Sequence, residues 1–205
     1  MVELEIVQLA ASEMKNFSYL IYCPETLIGA AVDPSLRPEV LIAAAEERGV
    51  TLKLLLNTHG HRDHTAGNAL IREQSGAQLA AHRDDVPEAE IPLGDGNTLE
   101  MGSGRIEVLH TPGHSPGSLV FKCGAQIITG DTLFVSRCGR ADLNGSDVRK
   151  LYTSLQRLKK LPPETHVWPG HDYGPTPSST LGWELEHNDF IRCTDLESFI
   201  RLRMG

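Results

Sequence analysis

The sequence predicts an α/β protein in which two β-sheets pack face to face and helices cover their outer sides. Strand-like and helix-like segments alternate along the chain in two rough halves. Several strands run into short polar loops, which should gather at one edge of the sheets. The 205 residues, of which 40% are hydrophobic, suffice for a substantial core, and we expect one domain over residues 1–205.

The first half of the chain contains three predicted strands, at 4–9, 19–22 and 27–32, separated by turn residues. A helix is predicted at 38–48 from its apolar stripe, and Gly49 has the residue type that commonly follows a helix end. A mainly apolar strand at 52–56 enters a histidine-rich loop, and a helix at 69–74 and a strand at 78–81 follow.

The second half begins with a polar, turn-rich stretch at 84–96 and four closely spaced strands at 98–101, 105–109, 118–122 and 126–129. Ser146 is the expected N-cap of a helix whose apolar residues recur at helical spacing as far as Leu158. A last strand is predicted at 166–168, followed by a helix at 181–187. Thr194 and Glu197 have capping-box spacing and predict the start of a final helix.

Composition excludes several classes of function. The formal net charge of −8 and the pI of about 5.6 argue against non-specific binding to nucleic acid or to anionic membranes. No apolar run approaches the ~18 residues of a membrane span. The four cysteines form no C-x-x-C pair, and the acidic N-terminus lacks the features of a secretory signal, so we expect a reducing, cytoplasmic location.

The most informative segment is His59-Gly60-His61-Arg62-Asp63-His64, which places four metal-binding side chains within six residues. If the segment is extended, His59, His61 and Asp63 point to one side and His64 to the other. One loop could then serve two neighbouring metal ions. Imidazole and carboxylate ligands suit Zn²⁺, Fe²⁺ or Mn²⁺. The alternative is a polar loop with surface histidines.

Three further candidate ligands each follow the end of a predicted strand. His114 and His171 lie in Pro-Gly-His turns, which can aim a side chain into a cleft. Asp131 follows an apolar strand, and its two carboxylate oxygens could bridge two metals. Taken singly, each could be an ordinary turn or capping residue, but together with the histidine-rich loop they predict a dinuclear site.

These motifs resemble those of the metallo-β-lactamase superfamily. The match consists of H-x-H-x-D-H at 59–64, T-P-G-H at 111–114, G-D at 130–131 and P-G-H at 169–171, and it covers essentially the whole chain in order. The resemblance implies a four-layer αβ/βα sandwich with the metal site at one edge. It also implies two ligand sets and a bridging carboxylate, which are His59, His61 and His114; Asp63, His64 and His171; and Asp131.

Within that superfamily, the chain resembles the branch of glyoxalase II and the persulfide dioxygenases. The resemblance rests on G-D-T-L-F at 130–134, C-G-R-A-D-L at 138–143 and H-D-Y-G at 171–174. It implies that Arg140 and Tyr173 contact glutathione, and the resemblance to the superfamily as a whole implies that Asp33 is the aspartate beneath the metal ligands. The alternatives are an ion pair for Arg140, ordinary packing for Tyr173 and a turn role for Asp33. The sequence departs from glyoxalase II after Gly174, where about thirty residues stand in place of a long helical domain.

The leading hypothesis is metal-dependent hydrolysis of a thioester, with a glutathione conjugate as the candidate substrate. Two divalent ions, zinc or iron, would lower the pKa of a shared water toward ~7 from ~15.7 in bulk, and the resulting hydroxide would attack the carbonyl. Asp131 would bridge the ions, and Asp63 would handle protons as well as bind metal. A thiolate leaves readily, so no strong general acid is required.

The runner-up is a mononuclear Fe(II) dioxygenase acting on glutathione persulfide, with His59, His114 and Asp131 as a facial triad. The same seven ligands are compatible with both activities, so the sequence does not separate them. Hydrolysis of another ester or a lactone and a non-catalytic metal-binding role are further alternatives. The expected partner is a small thiol-derived molecule, with no nucleic acid and no membrane, and a homodimer is left open.

Overall fold

The computed structural model describes residues 2–205, and the first half of the chain forms one six-stranded sheet. Its strands are β1 (Glu5–Ala10), β2 (Phe17–Tyr22), β3 (Ile28–Val32), β4 (Thr51–Leu56), β5 (Gln78–Ala81) and β6 (Ile91–Pro92). They lie side by side in chain order. β1 to β3 pair antiparallel, and β3 to β6 pair parallel. Parallel pairing brings the ends of β3 and β4 to the same edge, where the histidine-rich loop begins.

The second half of the chain forms the other sheet and a small hairpin. Its strands are β7 (Thr98–Met101), β8 (Gly104–His110), β9 (Leu119–Cys123), β10 (Gln126–Gly130), β11 (Leu133–Phe134), β12 (Arg137–Cys138), β13 (His166–Pro169) and β14 (Ser179–Thr180). The sheet order is β14-β13-β10-β9-β8-β7, and only β10 and β13 pair parallel. β11 and β12 form the separate hairpin. The parallel ends of β10 and β13 place two further candidate ligand loops together.

The main hydrophobic core lies between the two sheets. Val32 and Leu56 of the first sheet belong to the same buried cluster as Ile106 and Phe121 of the second. β2 is mainly apolar because both of its faces are buried. Tyr19 belongs to this inner cluster, whereas Leu20 and Tyr22 belong to the cluster on the outer side. A strand buried on both faces has no polar alternation.

Helices cover the outer face of each sheet. They are α1 (Glu39–Glu47), α2 (Arg62–Thr65), α3 (Asn68–Ser75), α4 (Val148–Leu158), α5 (Leu181–His187), α6 (Asp189–Arg192) and α7 (Leu196–Met204). Leu41 and Ile71 of α1 and α3 pack on the first sheet. Leu151 and Phe199 of α4 and α7 are buried on the second. The structure therefore confirms the predicted four-layer αβ/βα sandwich.

Two of the predicted helix caps are wrong by one residue. The N-cap of α4 is Asp147, whose carboxylate accepts hydrogen bonds from the N–H groups of Arg149 and Lys150, whereas Ser146 donates to the carbonyl of His114 at 2.8 Å. The N-cap of α7 is Asp195, not Thr194. In both cases an aspartate directly follows the predicted cap, and its carboxylate is the charge-assisted acceptor for the first turn.

The other differences from the prediction are short elements. The turn-rich stretch contains β6, and α2, β11, β12, β14 and α6 were not predicted; each has two to four residues. Segments this short carry too few residues to show a periodic pattern. Within residues 2–205, none of the helices combines the length and the apolar composition that a membrane crossing requires.

Candidate metal centre

The structure brings all seven predicted ligands together at one edge of the sandwich, in two clusters. The first cluster is His59, His61 and His114, and the second cluster is Asp63, His64 and His171. Within each cluster, the three potential ligand atoms lie within 4.8 Å of one another. The ligands arrive on loops that follow β4, β8 and β13, as expected from strands that end at one edge.

The division between the clusters differs from the extended geometry considered for the histidine-rich loop. His61 has extended backbone angles (φ −65°, ψ 141°), but α2 begins directly after it. The helical turn carries Asp63 away from His59 and His61 and places it beside His64. The expectation that His59, His61 and Asp63 share one side is therefore wrong, and the split implied by the family resemblance is the one observed.

Asp131 lies between the two clusters. Its Oδ1 is 3.3 Å from Nε2 of His64 in the second cluster. Its Oδ2 is 3.5 Å from Nε2 of His114 in the first cluster and 3.5 Å from Nε2 of His171 in the second. One carboxylate thus reaches ligands of both clusters, which is the geometry that a bridging ligand needs.

The donor atoms fit divalent metal ions better than they fit one another. Nε2 of His59 and Oδ1 of Asp131 are buried, and neither has a hydrogen-bond partner in the part of the chain that the structure describes. Nε2 of His114 is 2.9 Å from Nδ1 of His61, and the Nε2 atoms of His64 and His171 are 3.2 Å apart. Buried polar atoms without partners are costly, and a cation between facing imidazoles removes that cost. The N and O donor set suits zinc or iron.

Hydrogen-bond partners hold the Nδ1 atoms of three candidate ligands, which are His64, His114 and His171. Nδ1 of His64 is 3.0 Å from the carboxylate of Asp33, which also accepts the backbone N–H of Thr58 at 2.8 Å. Nδ1 of His114 is 3.0 Å from the carbonyl of Arg140, and Nδ1 of His171 is 3.2 Å from that of Met14. Partners of this kind fix the ring orientation and the tautomer, leaving Nε2 for a metal.

Electrostatics differ between the clusters. Burial lowers the pKa of His59 and of His114. Burial also opposes the charge on His64 and His171, but the neighbouring carboxylates outweigh it: the pKa of His64 is raised, and Asp131 and Asp63 raise the pKa of His171 to about 9. In the metal-free protein, His59 and His114 therefore offer neutral imidazoles, whereas protons compete with metal at His64 and His171.

Asp85, which the sequence did not single out, joins two ligand loops. Its Oδ2 accepts from the backbone N–H of Gly60 at 3.1 Å and from Oγ of Ser115 at 2.5 Å, and its Oδ1 accepts from the N–H of Gly117 at 2.7 Å. Gly60 lies between His59 and His61, and a Cβ there would be 2.3 Å from the carbonyl oxygen of Asp85. This close approach requires glycine within the histidine-rich loop.

Asn16 is a second residue that the sequence did not reveal. It is buried, and its Nδ2 donates to Oδ2 of Asp63 at 2.9 Å. The same Nδ2 is 3.4 Å from Nε2 of His64 and of His171. No motif surrounds Asn16, and its role follows only from the pairing of β1 with β2, which brings this loop to the ligand edge.

A cavity of about 330 Å³ opens onto the centre. Both predicted substrate contacts line it. Tyr173 stacks on His171 with ring centroids 4.5 Å apart, and 43% of Tyr173 is exposed. The exposed guanidinium of Arg140, however, forms two 2.9 Å hydrogen bonds with the carboxylate of Asp142. Cys138 also lines the cavity, but burial raises the pKa of its thiol to about 12, so it is not a reactive thiolate.

Comparisons with known proteins identify the family of this chain. The model of the metallo-beta-lactamase superfamily matches residues 25–171. A relative named hydroxyacylglutathione hydrolase, from Pelagibacter ubique, is 30% identical over 96% of this chain and 97% of its own length. The structure of ETHE1 from Myxococcus xanthus superposes with a TM-score of 0.93 at 31% identity, over 98% of this chain and 90% of that one.

A third similar protein has a structure with iron bound. The structure of TTHA1623 in a di-iron-bound form superposes with a TM-score of 0.79 at 33% identity, covering 90% of this chain and 99% of that one. The family model spans well over half of the chain. This chain belongs to the metallo-beta-lactamase superfamily.

Proposed function

We propose that this protein is a metal-dependent hydrolase of thioesters and that its substrates are hydroxyacyl derivatives of glutathione. The observation that carries the proposal is the position of Asp131, which reaches ligands of both clusters and so suits a two-metal site. The relatives named hydroxyacylglutathione hydrolase, at 30% and 35% identity, support the substrate class.

The chain's own residues have distinct roles in this proposal. Two divalent ions, when bound, supply a Lewis acid for the thioester carbonyl and a nucleophile from water at neutral pH. The two clusters would hold these ions, and Asp131, which reaches ligands of both clusters, would contribute a carboxylate to both. Asp63 is the most exposed of the candidate carboxylate ligands, with 23% of its side chain accessible, and Asn16 holds one of its oxygens. It therefore lies on the solvent side of the centre. Burial raises the pKa of its carboxyl, but hydrogen bonds from His171 and Asn16 outweigh burial and hold that pKa well below its ordinary value, so Asp63 is ionised in the metal-free protein.

The lining of the cavity favours a good leaving group. Among the described residues that line it, Asp63 and Asp131 are the only carboxylates, and both are candidate ligands. Burial raises the pKa of Tyr173 above its ordinary value, which makes the phenol a weaker acid. A thiolate leaves without prior protonation, so a thioester needs no additional acid from the protein.

The test is thiol release from a 2-hydroxyacyl-glutathione thioester by zinc-loaded or iron-loaded protein. We expect hydrolysis that is lost in His61→Ala and in Asp131→Ala. His187→Ala is the matched control, because His187 is an exposed histidine on α5 outside the centre. Unchanged hydrolysis in both ligand variants would show that this site is not the catalyst. Simple esters and lactones in the same assay test the wider hydrolase alternative.

A second candidate is the mononuclear Fe(II) persulfide dioxygenase. The observation that favours it is that two histidines and one carboxylate, the donors of a facial triad, are present together: the rings of His59 and His114 are 4.9 Å apart, and Asp131 is 3.5 Å from His114. Anaerobically prepared, Fe(II)-loaded protein should then consume oxygen when glutathione persulfide is added, and His114→Ala should abolish this uptake. No uptake by protein confirmed to contain iron would remove this candidate.

The proposal includes three finer expectations. We expect zinc or iron as the metal and the cytoplasm as the location, and we leave open whether the protein forms a homodimer. All four cysteines are free, which agrees with a reducing compartment. Metal analysis of protein purified without added metal, and sedimentation of the same sample, test the first and third of these expectations.

A further inference from the structure

The cavity is acidic and histidine-rich at its floor but carries arginines toward solvent. The floor consists of five of the candidate ligands, which are His61, Asp63, His114, Asp131 and His171. Three arginines line the same cavity, namely Arg137, Arg140 and Arg203, and Arg137 and Arg140 are exposed. The chain has a formal net charge of −8, so three cations around one opening do not reflect its general composition.

These three arginines are not equivalent. Asp142 engages Arg140 through two 2.9 Å hydrogen bonds, so this guanidinium is already paired with a carboxylate. Arg137 forms no ion pair and no side-chain hydrogen bond within residues 2–205. Arg203 donates through Nε to the carbonyl of Gly139 at 2.8 Å, and its two terminal nitrogens have no partner in that range. We call Arg137 and Arg203 the rim arginines.

Two side chains in and directly after α5 hold the backbone around Arg137 in place. Asn188 donates to the carbonyl of Arg137 at 3.0 Å, and Glu184 accepts from the N–H of Ser136 at 2.9 Å. Both side chains are fully buried, and Ser136 has a positive φ of 62°. The hairpin therefore holds Arg137 at a fixed place beside the cavity, although its side chain is exposed. Arg137 therefore has a well-defined backbone position and an unpaired guanidinium.

We propose that the rim arginines bind a carboxylate of the substrate's thiol carrier, whereas Arg140 remains paired with Asp142. The identity of the carrier rests on the proposed function. A guanidinium fork matches a carboxylate in shape and charge. Apolar and aromatic side chains, including Phe134 and Tyr173, also line the cavity between the centre and solvent. A thioester that presents its carbonyl to the floor and a carboxylate to the rim satisfies all three parts of the lining.

A binding experiment tests this inference without turnover. S-methylglutathione has the carboxylates of glutathione and no scissile thioester, and its affinity can be measured by calorimetry with metal-free and with zinc-loaded protein. We expect Arg137→Ala and Arg203→Ala each to weaken binding about tenfold, the lower end of the effect of a hydrogen bond to a charged group. Arg201→Ala, on α7 like Arg203 but outside the cavity lining, is the matched control and should bind as the wild type does.

A kinetic comparison separates failure of this inference from failure of the proposed function. The same hydroxyacyl group is offered on glutathione and on N-acetylcysteamine, a thiol without a carboxylate. The preference for the glutathione thioester, as a ratio of kcat/KM, should fall about tenfold in either rim variant. Hydrolysis without this change, or S-methylglutathione binding that is insensitive to both substitutions, would overturn the inference. Absence of hydrolysis together with rim-dependent binding would overturn only the proposed thioesterase activity.

Discussion

The floor and the rim of the cavity are built in opposite ways. At the floor, His114 and His171 are at most 3% exposed, and the carbonyls of Arg140 and Met14 hold their outer nitrogens. At the rim, Arg137 is exposed, and its side chain forms no hydrogen bond or ion pair with any residue from 2 to 205. Buried groups are fixed before the substrate arrives, so reaction at the floor needs little reorganisation. The rim gains its partner only when a ligand binds. The centre thus separates a rigid chemical site from an adaptable recognition site.

The largest expected effect comes from the bridging position. Asp131→Asn keeps the size of the side chain but removes the charge that reaches both clusters. We expect loss of at least one metal per chain and a fall in kcat/KM of about 1000-fold or more, since the metals contribute several kcal/mol to the reaction. Metal content by mass spectrometry and thiol release are the measurements. Full metal content with normal activity would show that the floor does not depend on this carboxylate.

Substitution of a residue that orients a ligand should have a smaller effect than substitution of a ligand and a larger effect than substitution of a rim arginine. Asp33→Asn weakens the charged contact to His64, and Asp85→Asn weakens the connection between the loops of His59 and His114. We expect each to lower zinc affinity about 10- to 100-fold, as is typical for residues that orient ligands. Competition with a chromogenic chelator measures this change. Asp84→Asn is the control for Asp85, because Asp84 is an exposed neighbour.

pH should distinguish the floor from the rim. Protons must leave His64 and His171 before metal binds, and the pKa of His171 is raised to about 9. Zinc affinity of the second cluster should therefore rise with pH up to that value, by up to about tenfold per unit for each proton released. The same raised pKa stabilises the metal-free protein below the unfolded value of about 6.5, and this stabilisation is lost as pH rises through about 9.

By contrast, arginine and carboxylate do not titrate between about pH 6 and pH 8, so the affinity for S-methylglutathione should stay nearly constant there. Zinc competition assays and thermal melts of metal-free protein provide the first half of this comparison, and calorimetry provides the second. A pH-independent zinc affinity would contradict the charge assignment at the second cluster.

The smallest expected effect concerns Arg140. The double substitution Arg140→Ala/Asp142→Ala removes an exposed ion pair as a neutral unit, so neither partner is left uncompensated. We expect a change of less than about threefold in KM for a glutathione thioester, because exposed ion pairs contribute little. If the double substitution weakened substrate binding as much as Arg137→Ala does, Arg140, and not the rim arginines, would carry the substrate contact.

The floor could be predicted from the sequence because its signal is local. Histidine and aspartate recur within the short run from His59 to His64, and His114, Asp131 and His171 each follow a strand. The rim could not be predicted in the same way. Arg137 and Arg203 are far apart in the chain, and arginine is common on surfaces. Only the position of α7 beside the segment that follows β12 brings Arg203 to the carbonyl of Gly139.

The same distinction holds for the fold. Long strands and helices such as β8 and α4 were predicted because they contain several turns or alternations of apolar residues. The capping sites at Ser146 and Thr194 were misassigned because the neighbouring aspartate competes for the same N–H groups. α2 was missed although it decides which cluster receives Asp63, since four polar residues carry no hydrophobic period.

The most direct test of the account is a zinc titration of metal-free protein in which bound metal and thiol release from a 2-hydroxyacyl-glutathione thioester are measured in the same samples. The account predicts that hydrolysis rises until two zinc ions are bound per chain, one for each cluster, and then remains constant. Maximal hydrolysis with a single bound ion, or two bound ions without any thiol release, would contradict it.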